Sequence, residues 1–139
     1  MGKKPLFFLV VLLLGCISAY VPSVTPNMSY FNQTAGMGFS RINVRSWNLT
    51  SDGILQLEMQ NNIGRDARIT LINVKTENEN VDSIPDITFY QSAKATHNVV
   101  GLQHREKGQW YWLYVEITYQ DMKTGETKHE KGNIAGNVK

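Results

Sequence analysis

From Phe39 onward, apolar and polar residues alternate in short runs broken by turn-forming clusters, the period-two pattern of half-buried strands. A first strand is expected over residues 41–48, ended by Ser51-Asp52-Gly53. Residues 54–60 follow, with Leu55, Leu57 and Met59 on one face and Gln56, Glu58 and Gln60 on the other. The segment Asn61-Asn62-Ile63-Gly64-Arg65-Asp66 has the composition of a turn. Across residues 68–76, Ile69 and Leu71 share one parity while Ile72 and Val74 share the other, which requires either a bulge or burial on both sides. A polar loop is expected over 77–85, then two short strands over 87–90 and 95–100.

The longest regular run covers residues 109–120. Tyr111, Leu113, Val115, Ile117 and Tyr119 occupy one parity and form the expected core face, while Trp110, Trp112, Tyr114, Glu116, Thr118 and Gln120 occupy the other. Asp121-Met122-Lys123-Thr124-Gly125 reads as a hairpin loop, and a last strand is expected over 126–138, where Gly132 and Gly136 suit a bend or a close backbone approach. Seven short strands without a helix predict an all-β domain over residues 38–139, an antiparallel immunoglobulin-like β-sandwich. One Cys excludes an internal disulfide, and a domain of this size buries enough core without one.

Upstream the pattern changes completely. Residues 5–40 contain no Asp, Glu, Lys or Arg, and the stretch PLFFLVVLLLGCISAYV over residues 5–21 is nearly all apolar. As a helix it spans about 26 Å, slightly short of the roughly 30 Å hydrocarbon core of a bilayer. Lys3 and Lys4 before it keep the N-terminus cytoplasmic and send the remainder outward. Residues 1–21 are therefore expected to be a signal anchor or a signal peptide, and three fates stay open. The segment is retained as a single-pass helix, or cleaved after Ser18 and Ala19 to release a secreted protein, or processed at Cys16. The last follows from Leu13-Leu14-Gly15-Cys16, which resembles a lipobox apart from the bulky Leu14.

Residues 22–37 read as an extended linker, with Pro22 and Pro26 stiffening a stem rich in Ser, Thr, Asn and Gly. Asn27-Met28-Ser29 and Asn32-Gln33-Thr34 are N-glycosylation sequons, and Asn48-Leu49-Thr50 is a third.

Charge and motifs narrow the chemistry further. Fourteen basic residues less Lys3 and Lys4 leave twelve against twelve acidic ones, so the basic character belongs to the extreme N-terminus and no nucleic-acid partner is expected. His97, His104 and His129 do not fall in HxH or HExxH spacing, and no metal or other cofactor is expected. Asp52, Asp66, Asp82 and Asp86 fall in expected turns, where carboxylates cap backbone amides; Asp52 and Asp66 alone do not make a calcium site. Neither GxSxG nor GxxxxGK occurs, and no catalytic residue is assigned.

Taken together, GFSRINVRSWNLTSDGILQLEMQNNIGRDARITLINV and KGQWYWLYVEITYQDMKTGETKHEKGNIAGNV resemble the globular domain of small archaeal type IV pilin-like proteins. The resemblance rests on Trp47, Ser51-Asp52-Gly53, the turn from Asn61 to Gly64, Gly108 with Tyr111, Val115-Ile117-Tyr119, Thr124-Gly125 and Gly132-Ile134-Gly136. It implies a noncatalytic, membrane-anchored protein of the archaeal cell surface. The N-terminus departs from the pilin pattern: Lys4-Pro5 begins the apolar run and no Glu follows it, so the resemblance speaks for fold and location more than for polymerisation.

Trp110, Trp112 and Tyr114 are the candidate interface, three aromatics in a row on the strand face opposite the core. Either a neighbouring loop or Tyr30 and Phe31 of the linker shields them, or they meet another copy of the chain, a surface protein or a glycan. The alternative to a structural role is a binding module, lipid-anchored through Cys16, that captures an extracellular glycan or solute.

Overall fold

The computed structural model describes residues 38–139. The expected anchor and linker lie outside the described residues, and with them Cys16, Asn27, Asn32, Tyr30 and Phe31. Among the described residues no helix is long and apolar enough to cross a membrane.

The domain is all-β and antiparallel. Its strands are β1 (Ile42–Leu49), β2 (Ile54–Asn61), β3 (Ala67–Lys75), β4 (Asn80–Ser83), β5 (Ile87–Phe89), β6 (Lys94–Val100), β7 (Trp110–Asp121) and β8 (Thr127–Asn137). One sheet has the order β1-β2-β6; the other has the order β4-β3-β7-β8, with β5 also paired to β3. The alternating apolar residues face each other between the sheets: Leu55, Leu57 and Met59 from β2, Ile69, Ile72 and Val74 from β3, and all five expected core residues of β7 are buried. That arrangement is consistent with a β-sandwich.

The parity switch in β3 is a bulge. Ile69 pairs with Tyr119 and Leu71 with Thr118, so Thr70 is the extra residue and the core face moves from Ile69 to Ile72 and Val74. A second bulge, at Arg45 between Val44 and Ser46, re-aims β1.

Two expectations need correction. Residues 77–85 are not all loop, because β4 pairs with β3 from Ile72↔Ser83 to Lys75↔Asn80, giving eight strands instead of seven. Val81 is the only apolar side chain of β4, so period two has nothing to act on; the strand forms because the edge of β3 offers it backbone partners. Asp82 consequently sits in a strand, accepting a hydrogen bond from Asn73 at 2.6 Å, and not in a turn.

The ends of the sandwich differ in what they carry. At one end the chain enters through residues 38–41, where Arg41 N donates to buried Glu130 at 2.8 Å. Gly38 has φ +105°, and a Cβ there would lie 2.1 Å from the Lys131 carbonyl oxygen, so only glycine lets the incoming chain lie this close to β8. The turn 62–66 and the β7–β8 hairpin share this end, joined by the bond from Met122 N to the Asp66 carbonyl. At the far end, Leu102 N donates to Gly53 O, Ser51 N to Lys139 O and Gly108 N to Val138 O, gathering the β1–β2 turn, the loop before β7 and the C-terminus. β7 begins at this far end and runs back toward the end where the chain enters.

Candidate functional site

Trp110, Trp112 and Tyr114 stand on the outer face of β7, but the fold treats them unequally. Trp112 is 54% exposed, whereas Trp110 and Tyr114 are half-buried. The register explains the difference. β3 ends at Lys75, which pairs with Tyr114, so Trp110 and Trp112 overhang the sheet and have a strand neighbour only in β8. The neighbour of Trp112 is Ala135, whose methyl group covers little of an indole. Tyr114 has instead the Lys75 ammonium 4.9 Å from its ring centroid, a cation–π contact that covers one side.

Two amides flank the aromatics. Asn137 pairs with Trp110 and Asn133 with Tyr114, and the Oδ1 atoms of both are buried without a hydrogen-bond partner. A buried carbonyl without a donor is costly. Farther along the same face, Glu116 pairs with Lys131, and His129 Nδ1 lies 3.0 Å from Thr118 Oγ1 and 3.3 Å from Glu116. The face thus grades from aromatic at the far end to charged toward the end where the chain enters.

The strand beneath is rigidly held. Tyr111, on the core side between Trp110 and Trp112, is pushed up to about pKa 12 by burial, opposed by hydrogen bonds with the Leu49 backbone and Trp47. Trp47 Nε1 donates to the Ala135 carbonyl at 2.9 Å, tying β1 to β8 directly behind the partner of Trp112.

Sequence reasoning missed the buried polar groups that order the loops. Asn61 is fully buried: its Nδ2 donates to the carbonyls of Arg65 at 2.8 Å, Phe89 at 2.8 Å and Tyr90 at 3.2 Å, while its Oδ1 accepts from Ile63 N at 2.9 Å. Asp121 is equally buried, its Oδ1 accepting from Lys123 N and its Oδ2 lying 2.7 Å from Arg65 Nε. Burial alone would raise its pKa; the amides of Lys123 and Thr124 and the Arg65 guanidinium outweigh that and hold the carboxyl below its ordinary range. An Asn or Asp at a turn is so common that nothing in the sequence marks these two as buried.

The remaining candidates are scattered. Asn48 lies in β1, half-buried, while Asp66 caps Gln91 N at 2.9 Å and Asp86 pairs with Arg68. His97 Nε2 is 2.7 Å from Ser83 Oγ, joining β6 to β4, and burial lowers its pKa. Among the described residues no group of three His, Cys, Asp or Glu side chains converges as a metal site. No family profile, curated protein or solved structure matches the chain.

Proposed function

We propose that this chain is a noncatalytic structural or interaction protein of an archaeal cell surface, pilin-like and membrane-anchored through its N-terminal segment, with the β domain outside. The strand order β1-β2-β6 against β4-β3-β7-β8 supports an immunoglobulin-like sandwich, the architecture commonly used for surface contacts. Lys3 and Lys4 before an uncharged apolar run support outward orientation.

The observation that carries the reading is the exposure of Trp112 at the far end of the sandwich. The chain enters at the opposite end, and β7 is about 40 Å long at roughly 3.3 Å per residue. A domain tethered through residue 38 therefore holds Trp110 and Trp112 away from the membrane, where a second copy or a surface protein meets them. Protease treatment of intact cells tests the location: cleavage of the domain while a cytoplasmic marker survives supports it, and full protection until lysis overturns it.

The exposed ring of Trp112 also favours a second reading, a lipid-anchored module that binds a glycan or solute. The exposed indole of Trp112 offers a face on which a sugar ring stacks. Quenching of tryptophan fluorescence by hexose oligosaccharides, lost in Trp112→Ala, supports that reading. A diacyl group on Cys16, found by mass spectrometry of the mature N-terminus, supports its anchor.

A further inference from the structure

The outer face of the three-stranded sheet holds a shallow pocket of 170 Å³, lined by Ser46, Trp47 and Asn48 of β1, Gln56 and Glu58 of β2, and Thr96 of β6. The register brings the polar members together, with Ser46 opposite Glu58, Asn48 opposite Gln56, and Glu58 opposite Thr96. Ser46 Oγ donates to Glu58 Oε2 at 3.1 Å, and the bulge at Arg45 sets the strand that carries both Ser46 and Asn48. Hydroxyls, amides and a carboxylate on a concave surface form a lining suited to sugar hydroxyls.

Asn48 belongs to this lining and also opens the sequon Asn48-Leu49-Thr50. Its side chain is half-buried, with Oδ1 buried and without a hydrogen-bond partner. We propose that Asn48 is N-glycosylated and that the first sugar of the glycan seats in this pocket. A shallow polar pocket holds a free monosaccharide poorly, because association costs translational and rotational freedom. A sugar linked covalently at the rim has already lost that freedom, so a few hydrogen bonds to Gln56, Glu58 and Thr96 hold it.

In the transfer, Asn48 Nδ2 bonds to the anomeric carbon of a polyprenyl phosphate-activated oligosaccharide. The bond from that carbon to the phosphate oxygen breaks, its electron pair leaves with the polyprenyl phosphate, and Nδ2 gives up one proton. The fold dictates when this occurs. Leu49 is fully buried, and Thr50 Oγ1 is engaged by Ile54 N at 3.3 Å, so the sequon is open to a transferase only before β1 docks. Export supplies that interval, since β1 crosses the membrane before β7 and β8; this proposal rests on the extracytoplasmic reading.

The test uses the full chain carrying Asn27→Gln and Asn32→Gln, so that Asn48 is the sole sequon, produced in a host with N-glycosylation. It is made once with its own N-terminus and once behind a cleavable secretory signal. Glycopeptide mass spectrometry is expected to find a glycan on Asn48 in both. Trimming the glycan to its first sugar is expected to keep a melting temperature about 4 °C above that of the additional Asn48→Gln variant. Thr96→Ala should reduce that difference. An unmodified Asn48 behind the secretory signal overturns the proposal, as does a trimmed form no more stable than Asn48→Gln. Modification behind the secretory signal but not with the native N-terminus upholds the site and overturns the export reading instead.

Discussion

Replacing Trp112 with Ala separates a contact surface from a covered one. A Trp side chain presents about 250 Å² when unfolded. With 54% still exposed in the fold, roughly 110 Å² is buried, which at about 25 cal/mol per Å² amounts to near 3 kcal/mol. The alanine that remains and the compactness of the unfolded chain reduce this to about 2 kcal/mol. Urea unfolding of the variant should therefore show a modest loss of about 1–2 kcal/mol. Sedimentation of the full chain should show self-association weakened by at least about 2 kcal/mol, near 30-fold in Kd, as for an aromatic hot spot. Glu116→Ala, on the same face but beside Lys131, is the control expected to change neither greatly. Leu113→Ala, on the opposite face and fully buried, should cost about 2–5 kcal/mol of stability and leave association of the folded molecules intact. A stability loss above about 3 kcal/mol for Trp112→Ala, with association unchanged, would refute the interface and show that the ring is covered in the full chain.

Asn61→Ala should lower stability by about 3 kcal/mol in urea unfolding, since it removes a buried donor to the carbonyls of Arg65, Phe89 and Tyr90 and the acceptor of Ile63 N, whereas exposed Asn62→Ala should cost under about 0.5 kcal/mol. Gly53→Ala should cost at least about 2 kcal/mol in the same assay, because φ is +81° and the new Cβ would lie 2.0 Å from the Leu102 carbonyl oxygen; a neutral result would mean that the turn rearranges freely. Stability should fall in two steps on acidification. Burial holds His97 below its ordinary 6.5, so the unfolded chain takes up that proton first; this contribution is full above about pH 6.5 and lost as pH falls through the folded value. The depressed Asp121 carboxyl acts in the same direction below its ordinary 3.8, and His97→Gln should remove only the upper step in urea midpoints measured against pH.

The sequence by itself determined the strands that bury one face and the side each presents. Side chains alternate with period two, so the runs from Leu55 to Met59 and from Tyr111 to Tyr119 admit one orientation against an apolar core. The parity switch between Ile69 and Ile72 likewise left a bulge or two-sided burial as the choices, and the sheet adopts the bulge. The row of three aromatics was legible in the same way. Their inequality was not, because the exposure of Trp112 depends on where β3 stops and on the small Ala135 more than 20 residues away. Backbone pairing alone made β4, whose residues carry no apolar pattern to read. Only the tertiary structure buried Asn61 and Asp121, set Glu130 over the incoming chain, and gathered strands β1, β2 and β6 into a pocket around Asn48. Those groups are polar, and a polar residue's surroundings are decided by which distant backbone amides and carbonyls reach it, information that local alternation does not contain.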